Sequence, residues 1–299
     1  AVATREFKAA LDRDDKLDHA WTNLGMIAER KGDSSGAESN YRRALSINPE
    51  RETAWEMLAR LYCRTNRCGR IESELRDKIG QMPAALGPRI ALVYTLAQLG
   101  KLEPAAAEAK KVLKADERNV RAMQLLAQVY FKESKIELSR MVLENARAID
   151  ANDAITQNQL GLVYLQLKQR TQAVEAFQKA AAIKPDFAEA MNNYGVMLNE
   201  SQDYENAVKT LEAAVNVAPD FLAAHMNLGN AYRGKGDVQK ALAQYKEVQK
   251  LKPDLADTSF NLAILYLDSD LPGVDTAQRF KTSIDYFNEY RNKGGKDDR

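Results

Sequence analysis

Apolar residues recur along the chain with a period of 34 residues. If Asp18 is taken as position 1, later units begin at residues 52, 86, 120, 154, 188, 222 and 256, and no insertion interrupts these seven steps. Within a unit, apolar or small residues stand at positions 4, 7, 8 and 11 and, after a turn, at positions 20, 24, 27 and 30. Spacings of three and four residues place side chains on one face of an α-helix. Each unit is therefore predicted to be a pair of helices.

Small side chains are favoured at two positions of the unit. Position 20 is alanine in five of seven units, and position 8 is glycine at Gly25, Gly161, Gly195 and Gly229. Glycine inside a helix costs about 1 kcal/mol relative to alanine, so its use indicates that the two helices of a unit approach closely. Proline recurs at position 32, where it can end one unit and begin the next.

The same positions resemble the tetratricopeptide repeat (TPR) pattern, in which Trp, Leu-Gly and Tyr are followed by Ala, Phe and Pro. The first full unit matches it through Trp21, Leu24, Gly25, Ala37, Tyr41, Ala44 and Pro49. Units that begin at 154 and 222 repeat the pattern, whereas those at 52, 86 and 120 diverge from it but keep the register. The resemblance implies an all-α fold. It would be a right-handed superhelical solenoid of eight antiparallel helix pairs plus an N-terminal half unit, with the first helices lining a concave groove.

The two ends of the chain are predicted to differ from the repeated units. Residues 1–17 fit the second helix of a truncated repeat, residues 18–290 are predicted to form a single solenoid, and residues 291–299 form a polar tail. In the last unit the second helix follows an insertion of eight residues around Pro272 and Gly273, a pair that signals a turn. With no unit after it, this helix is expected to cap the array.

Amide side chains are concentrated at positions that, by the same resemblance, face the groove. They are Asn158, Gln159, Asn192, Asn193, Asn227, Asn230 and Asn261. An amide can both donate and accept a hydrogen bond, so a ladder of amides can pair with an extended peptide backbone whatever its sequence. The alternative is that asparagine at position 6 is a consensus residue that bonds to a neighbouring helix.

Apolar side chains occupy other groove positions, and we interpret them as a further partner-binding surface. They are Tyr94, Phe131, Leu162, Leu165 and Phe260, at positions 5, 9 and 12 of their units. Large apolar patches are rarely exposed unless they meet a partner. The alternative is that several of these residues pack against adjacent units as core. Position 5 never carries a lysine, so the carboxylate clamp of TPR co-chaperones is not expected.

The composition argues against several other classes of function. The chain has 43 basic and 42 acidic residues, which is too balanced for the basic face that nucleic acid requires. No apolar run approaches the length of about 18 residues that a membrane span needs. The sequence also contains no nucleotide-binding glycine loop. We therefore expect no catalytic residue, no cofactor and no bound metal, and a chain that is not an enzyme.

The two cysteines, Cys63 and Cys68, flank the predicted turn of the second full unit. Structural zinc needs four ligands, and a redox pair typically has two residues between its cysteines. These considerations leave a disulfide across the turn or two reduced thiols. Stable disulfides belong to oxidising compartments, so a bridge predicts a location in the periplasm or outside the cell, and of these we expect the periplasm. The alternative is a cytoplasmic location.

These features predict a non-catalytic scaffold or adaptor that binds a peptide or helix of a partner protein in its concave groove. Self-association through the end units is a further expectation. The segment "LPGVDTAQRFKTSIDYFNEY" is similar to TPR lipoproteins of gliding and predatory bacteria, which implies an envelope or motility assembly and a lipid anchor upstream of residue 1. The alternative function is the substrate-recognition arm of a larger enzyme of the protein glycosyltransferase type, with its catalytic domain outside this chain.

Overall fold

The computed structural model describes residues 2–295, and in that range the chain consists of α-helices joined by turns, without a β-strand. It divides into two compact units, which we call the first array (Ala1–Ala151) and the second array (Asn152–Arg299). The helices of the first array are α1 (Val2–Arg13), α2 (Asp18–Arg30), α3 (Ser34–Ile47), α4 (Glu52–Arg64), α5 (Cys68–Gln81), α6 (Leu86–Gln98), α7 (Leu102–Ala115), α8 (Val120–Lys132) and α9 (Ile136–Ile149). Those of the second array are α10 (Ala154–Gln166), α11 (Arg170–Ile183), α12 (Ala188–Glu200), α13 (Tyr204–Val217), α14 (Leu222–Lys235), α15 (Val238–Leu251), α16 (Ala256–Asp268) and α17 (Thr276–Asn292).

The prediction of an all-α repeat of helix pairs is confirmed. The first helix of every unit begins at position 1 of the 34-residue period, from α2 at Asp18 to α16 at Ala256. The half unit predicted for residues 1–17 contains α1, and α17 extends two residues into the predicted tail. Residues 296–299 of that tail lie outside the described residues, and a single solenoid over residues 18–290 stays a prediction.

The turn inside the unit is built in the same way seven times. Its position 15 has a positive φ, and the residues there are Gly32, Asn66, Gly100, Ser134, Lys168, Gln202 and Gly236. In each turn the N–H of position 16 donates to the carbonyl of position 11, as from Arg67 N to Tyr62 O over 2.7 Å. This bond is characteristic of the Schellman end of a helix. It reverses the chain, so that the second helix can pack along the first.

Close packing within a helix pair depends on a size match between positions 8 and 24. Three units place glycine at position 8 against a ring at position 24, and a Cβ on the glycine would overlap that ring. These pairs are Gly25–Tyr41, Gly161–Phe177 and Gly229–Tyr245. Where position 8 is the larger Ala59, position 24 is Leu75, and where position 8 is Val93, position 24 is Ala109; all four are buried. In these five units a smaller residue at one position accompanies a larger residue at the other, as a densely packed interior requires. The fourth glycine, Gly195, faces Leu211, and a Cβ there would also overlap that side chain.

At four places in the described residues, a side chain at position 4 is hydrogen-bonded to the carbonyl six residues earlier, which belongs to the preceding unit. Nε1 of Trp55 donates to Pro49 O over 2.7 Å. In a later unit Nε2 of His225 lies 2.9 Å from Pro219 O, and its Nδ1 lies 2.7 Å from Gln244 Oε1. Histidine thus takes over the structural contact that tryptophan makes in the first array.

The last helix pair keeps the register after a longer connection. Residues 269–275 separate α16 from α17. Ser283 Oγ on α17 donates to Ala263 O on α16 over 2.8 Å. Ser139 Oγ makes the same bond to Ala127 O, also over 2.8 Å, in the first array. Ser283 therefore occupies position 20 of its unit, and the connection alone absorbs the insertion.

Candidate partner-binding faces

In the second array, position 6 of one unit is hydrogen-bonded to position 5 of the unit before it. Asn193 Nδ2 donates to Asn158 Oδ1 over 2.9 Å, and Asn227 Nδ2 donates to Asn192 Oδ1 over 2.8 Å. The accepting residues are buried, with 8% of Asn158 and 7% of Asn192 exposed, whereas the donating residues are half-buried. We call these two pairs the amide rungs.

A third contact continues the series with a different acceptor. Asn261 Nδ2 donates to Met226 Sδ over 2.8 Å, because position 5 carries a thioether in that unit, and a thioether is a weak acceptor. Asn230, at position 9, accepts from Tyr245 Oη over 2.7 Å. These bonds agree with the alternative role of asparagine, a bond to a neighbouring helix. They also leave part of each amide available.

Gln159 differs from the other predicted amides. It is 8% exposed, and in the described part of the chain its Oε1 and Nε2 are buried without a hydrogen-bond partner. A buried amide atom without a partner costs about 1–3 kcal/mol. Gln159 therefore retains the capacity to bind a polar group, although its side chain is not openly exposed.

The predicted apolar residues of the second array lie in two environments. Leu162 and Leu165 are three residues apart on α10, and Leu162 is 38% exposed. The ring of Phe260 lies 6.0 Å from the ring of Phe287 and 5.3 Å from that of Tyr290, between centroids. Phe260 is therefore part of the packing within the last helix pair, whereas the two leucines keep a surface for contact.

In the first array, Tyr94 and the two cysteines line one pocket. Its cavity volume is about 550 Å³, and its walls include Arg60 and Arg64. The guanidinium of Arg60 lies over the ring of Tyr94, 4.9 Å from its centroid, in the geometry of a cation–π contact. Phe131 is not among the residues that line this pocket; it is half-buried near the end of α8.

A buried carboxylate lies under this face of the first array. Glu56, at position 5, is 9% exposed and accepts hydrogen bonds from Arg60 Nη2 over 2.8 Å and from Arg121 Nε over 2.9 Å. Burial alone would raise the pKa of Glu56, but the charges of Arg121 and Arg60 and their hydrogen bonds outweigh it, so the pKa is lowered. Two guanidinium groups therefore share one carboxylate at this place.

The cysteines are joined by a disulfide, with their Cα atoms 4.1 Å apart. The bond spans the turn from α4 to α5 and closes a loop that contains Arg67. Arg67 Nη1 donates to Glu38 Oε2 over 3.0 Å, and its guanidinium lies 4.2 Å from the centroid of the Tyr62 ring. Closing so short a loop restricts the unfolded chain and contributes about 2 kcal/mol to stability.

We expect thiol titration of the unfolded protein to detect no free thiol before reduction and two after it. The variant Cys63→Ser/Cys68→Ser should unfold in urea with a free energy lower by about 2 kcal/mol. The wild-type protein should match the variant once a reductant is present. Two free thiols in the unreduced protein would rule out the bridge, and equal stability of the unreduced wild type and the variant would contradict its stabilising effect.

Two polar residues at position 12, Asn199 and Arg233, are not among the residues that the sequence indicates. They line a second pocket, in the second array. Other units carry Phe131, Leu165 and Leu267 at this position. The sequence could have indicated Asn199 and Arg233, because position 12 is polar in their two units and apolar in the three units just named.

The paired helices, the repeated turn and the amide rungs define an all-α repeat protein built from helix hairpins, with side chains of its first helices available to a partner. Family models described as tetratricopeptide repeat match residues 18–61, 158–215 and 200–256. The chain is a tetratricopeptide repeat protein. No curated protein matches it by sequence.

Solved structures show the same fold at low sequence identity. One chain of the APC/C hetero-tetramer Cut9–Hcn1 is 16% identical over 95% of this chain, with a TM-score of 0.72, and this chain spans 54% of its length. MamA from Desulfovibrio magneticus RS-1, residues 41 to the end, is 21% identical over 60% of this chain and 97% of its own length, with a TM-score of 0.51. Among residues 2–295, none of the helices has the length and apolar character needed to cross a membrane.

Proposed function

We propose that the chain is a non-catalytic interaction scaffold that binds an extended segment of a partner protein along the first helices of its second array. The observation that carries this proposal is the amide rung, which recurs at the same two positions of successive units. A row of amides at regular spacing suits a ligand that is itself periodic, as an extended peptide backbone is.

Each rung orients an amide without using all of its hydrogen-bonding groups. Asn193 and Asn227 each commit one N–H to the neighbouring amide, which leaves each a carbonyl oxygen and a second N–H. A side chain already held by a supporting hydrogen bond loses less conformational freedom when it binds a ligand. We therefore assign the contacts with successive peptide groups to these two residues, and those with flanking groups to Asn261 and Gln159.

Apolar side chains of the ligand would meet the leucines of α10. Leu162 and Leu165 lie on one face of that helix, and the exposure of Leu162 supports contact with a partner. In the first array, Tyr94 and Phe131 are proposed to make equivalent contacts, Tyr94 through the pocket that it shares with Arg60. A recognition arm of a larger enzyme would use the same surfaces.

The disulfide supports an oxidising compartment, and we propose the periplasm. The resemblance of the C-terminal segment to TPR lipoproteins supports a place in an envelope or motility assembly. Self-association through an end unit is supported by Phe280 and Ile284, which are 43% and 59% exposed on α17.

The scaffold function can be tested by selection from a randomised library of peptides displayed on phage. We expect enriched peptides to bind the wild-type protein and to lose about fivefold in affinity for each amide removed, because one hydrogen bond is worth about 1 kcal/mol. Fluorescence anisotropy of a labelled enriched peptide measures the affinity. A library that yields no enriched peptide would contradict the proposal.

Two variants separate binding from stability. Asn193→Leu leaves the buried Asn158 oxygen without a donor and should lower the free energy of unfolding by about 1–3 kcal/mol. Asn158→Leu/Asn193→Leu replaces both partners with side chains of similar shape and should recover most of that loss while still failing to bind. Asn216→Leu, at an exposed position on α13, is the control for surface hydrophobicity. Undiminished binding by the double variant would show that the rung is only structural.

A further inference from the structure

The ends of three first helices in the second array enclose a pocket with a cavity volume of about 490 Å³. Asn199 comes from α12, Arg233 and Gly234 from α14, and Asp268 is the last residue of α16. Tyr204, the first residue of α13, forms a further wall. All of these residues stand at or next to the positions where first helices turn into second helices.

A glycine keeps one wall of the pocket in place. A Cβ on Gly234 would overlap the ring of Tyr204, so any larger residue at 234 would displace that ring. The other units all have a larger residue at the corresponding position 13, namely Arg30, Arg64, Gln98, Lys132, Gln166, Glu200 and Asp268. Glycine at this position of α14 therefore makes the shape of the pocket specific to this part of the array.

The pocket contains an unpaired hydrogen-bond donor and an unpaired acceptor. Asn199 Nδ2 donates to Asn227 O over 2.9 Å, but within the described residues Asn199 Oδ1 is buried without a donor. Nη1 of Arg233 is likewise buried without an acceptor at hydrogen-bond distance; it lies 3.9 Å from Asp268 Oδ2. Buried polar groups are usually paired in native proteins, so this donor and this acceptor are both available to a ligand that offers the complementary groups.

The charges around the pocket favour a neutral ligand. Arg233 faces the carboxylate of Asp268, whose Oδ1 also accepts from Ser269 Oγ over 2.8 Å. Glu200, at the rim, is already paired with Arg170 Nη1 at 2.5 Å. A ligand carboxylate would be repelled by Asp268, and a ligand ammonium would be repelled by Arg233.

A neutral group that offers one acceptor and one donor side by side is a carboxamide. We propose that this pocket binds the side chain of a glutamine or asparagine residue in the partner segment. The carbonyl oxygen of that side chain accepts from Arg233 Nη1, and its NH₂ donates to Asn199 Oδ1. This inference rests on the proposed scaffold function, and it adds a preference for one side chain to a surface that otherwise recognises the backbone.

The test is a titration of the full chain with small capped amino acids, followed by NMR of the side-chain N–H groups of Asn199 and Arg233. The probes are N-acetylglutamine N-methylamide and its glutamate, methionine and alanine counterparts, which share one backbone. We expect saturable shifts with the glutamine probe and at least about tenfold weaker binding of the other three. The methionine and alanine probes lose both hydrogen bonds, and the glutamate probe loses the bond to Asn199 and is repelled by Asp268. Arg233→Met and Asn199→Leu should each remove the response, whereas Lys246→Met, at an exposed position on α15, should not.

Several results would overturn the assignment. An equal response to the alanine probe would mean that the pocket binds backbone amides, and a stronger response to glutamate would mean that Arg233 binds anions. No saturable response to the glutamine probe would remove the site altogether. If library-derived peptides still bind along the amide rungs in that case, this inference fails while the scaffold function stands.

Discussion

On acidification from neutral pH, we expect the first array to unfold before the second. The first array holds five carboxyl groups with lowered pKa values: Asp18, Glu38, Glu56, Glu72 and Glu108. For Asp18 the largest cause is the hydrogen bond from Arg51. For the four glutamates, burial alone would raise the pKa, and the hydrogen bonds and positive charges of their neighbours outweigh it.

The lowered pKa values of these carboxyl groups make the first array less stable in acid. A carboxyl group whose pKa is lower in the folded protein stabilises the fold above its unfolded pKa, which is 4.5 for glutamate and 3.8 for aspartate. That stabilisation is lost as the pH falls through the folded value. Burial raises the pKa of Glu52. Glu52 therefore acts in the opposite direction and offsets part of the stabilisation that the other five carboxyl groups provide. In the described residues of the second array, the carboxylates of the ion pairs are at least 35% exposed, so solvent screens them.

The two tryptophans of the chain make the experiment selective. Trp21 and Trp55 both lie in the first array, so their fluorescence reports its unfolding, and hydrogen exchange followed by mass spectrometry reports residues 152–295 in the same samples. We expect the fluorescence transition, below about pH 4.5, to occur at a higher pH than the loss of exchange protection in the second array. Coincident transitions would contradict this expectation.

The variant Glu56→Gln tests the contribution of one buried carboxyl group to this pH dependence. At neutral pH this variant should be less stable than the wild type by about 1–3 kcal/mol, because the half-buried guanidinium of Arg121 loses its counter-charge, whereas that of Arg60 is 41% exposed and is partly screened by solvent. The difference should shrink as the pH falls, since protonated Glu56 resembles glutamine. Glu117→Gln, at an exposed position, should leave stability unchanged throughout. A difference between Glu56→Gln and wild type that does not depend on pH would refute the linkage.

Gly25→Ala is expected to destabilise the first array although alanine is the better helix former. The added Cβ would overlap the ring of Tyr41, which is fully buried and donates through Oη to Glu29 Oε2 over 2.7 Å. Overpacking a dense interior costs about 1–3 kcal/mol, which exceeds the gain of about 1 kcal/mol in helix propensity. Urea unfolding followed by tryptophan fluorescence measures the difference.

Two variants complete this comparison. Gly80→Ala, on α5 with open space around the site, should increase the free energy of unfolding by up to about 1 kcal/mol. Gly25→Ala/Tyr41→Leu reproduces the pair that Ala59 and Leu75 form in the next unit, and it should recover part of the loss. If Gly25→Ala stabilised the protein as Gly80→Ala does, the proposed size match between positions 8 and 24 would be wrong.

The helix pairs and their register could be predicted from the amino-acid sequence. Apolar spacing, the small residues at position 8 and the prolines at position 32 predicted each first helix, and the structure begins every one at position 1. These features act within one unit, over contacts close in sequence, so local propensity and local packing point to the same arrangement. The amides and leucines could also be predicted from the sequence. They recur at the same positions of the repeat, and the period assigns each position to a face of its helix.

The residue that each of those side chains contacts could be known only from the three-dimensional packing of the units. The amide rungs join residues 35 positions apart, and Glu56 is bonded to Arg121, 65 positions away. Phe260 packs with Phe287 and Tyr290, although position 5 is predicted to face the groove. The donor on Arg233 and the acceptor on Asn199, which we propose bind a carboxamide, come from different units. The period gives the direction of a side chain from its own helix. The rotamer it adopts and the atom it meets depend on the neighbouring unit, whose side chains at the same positions differ in length, charge and shape.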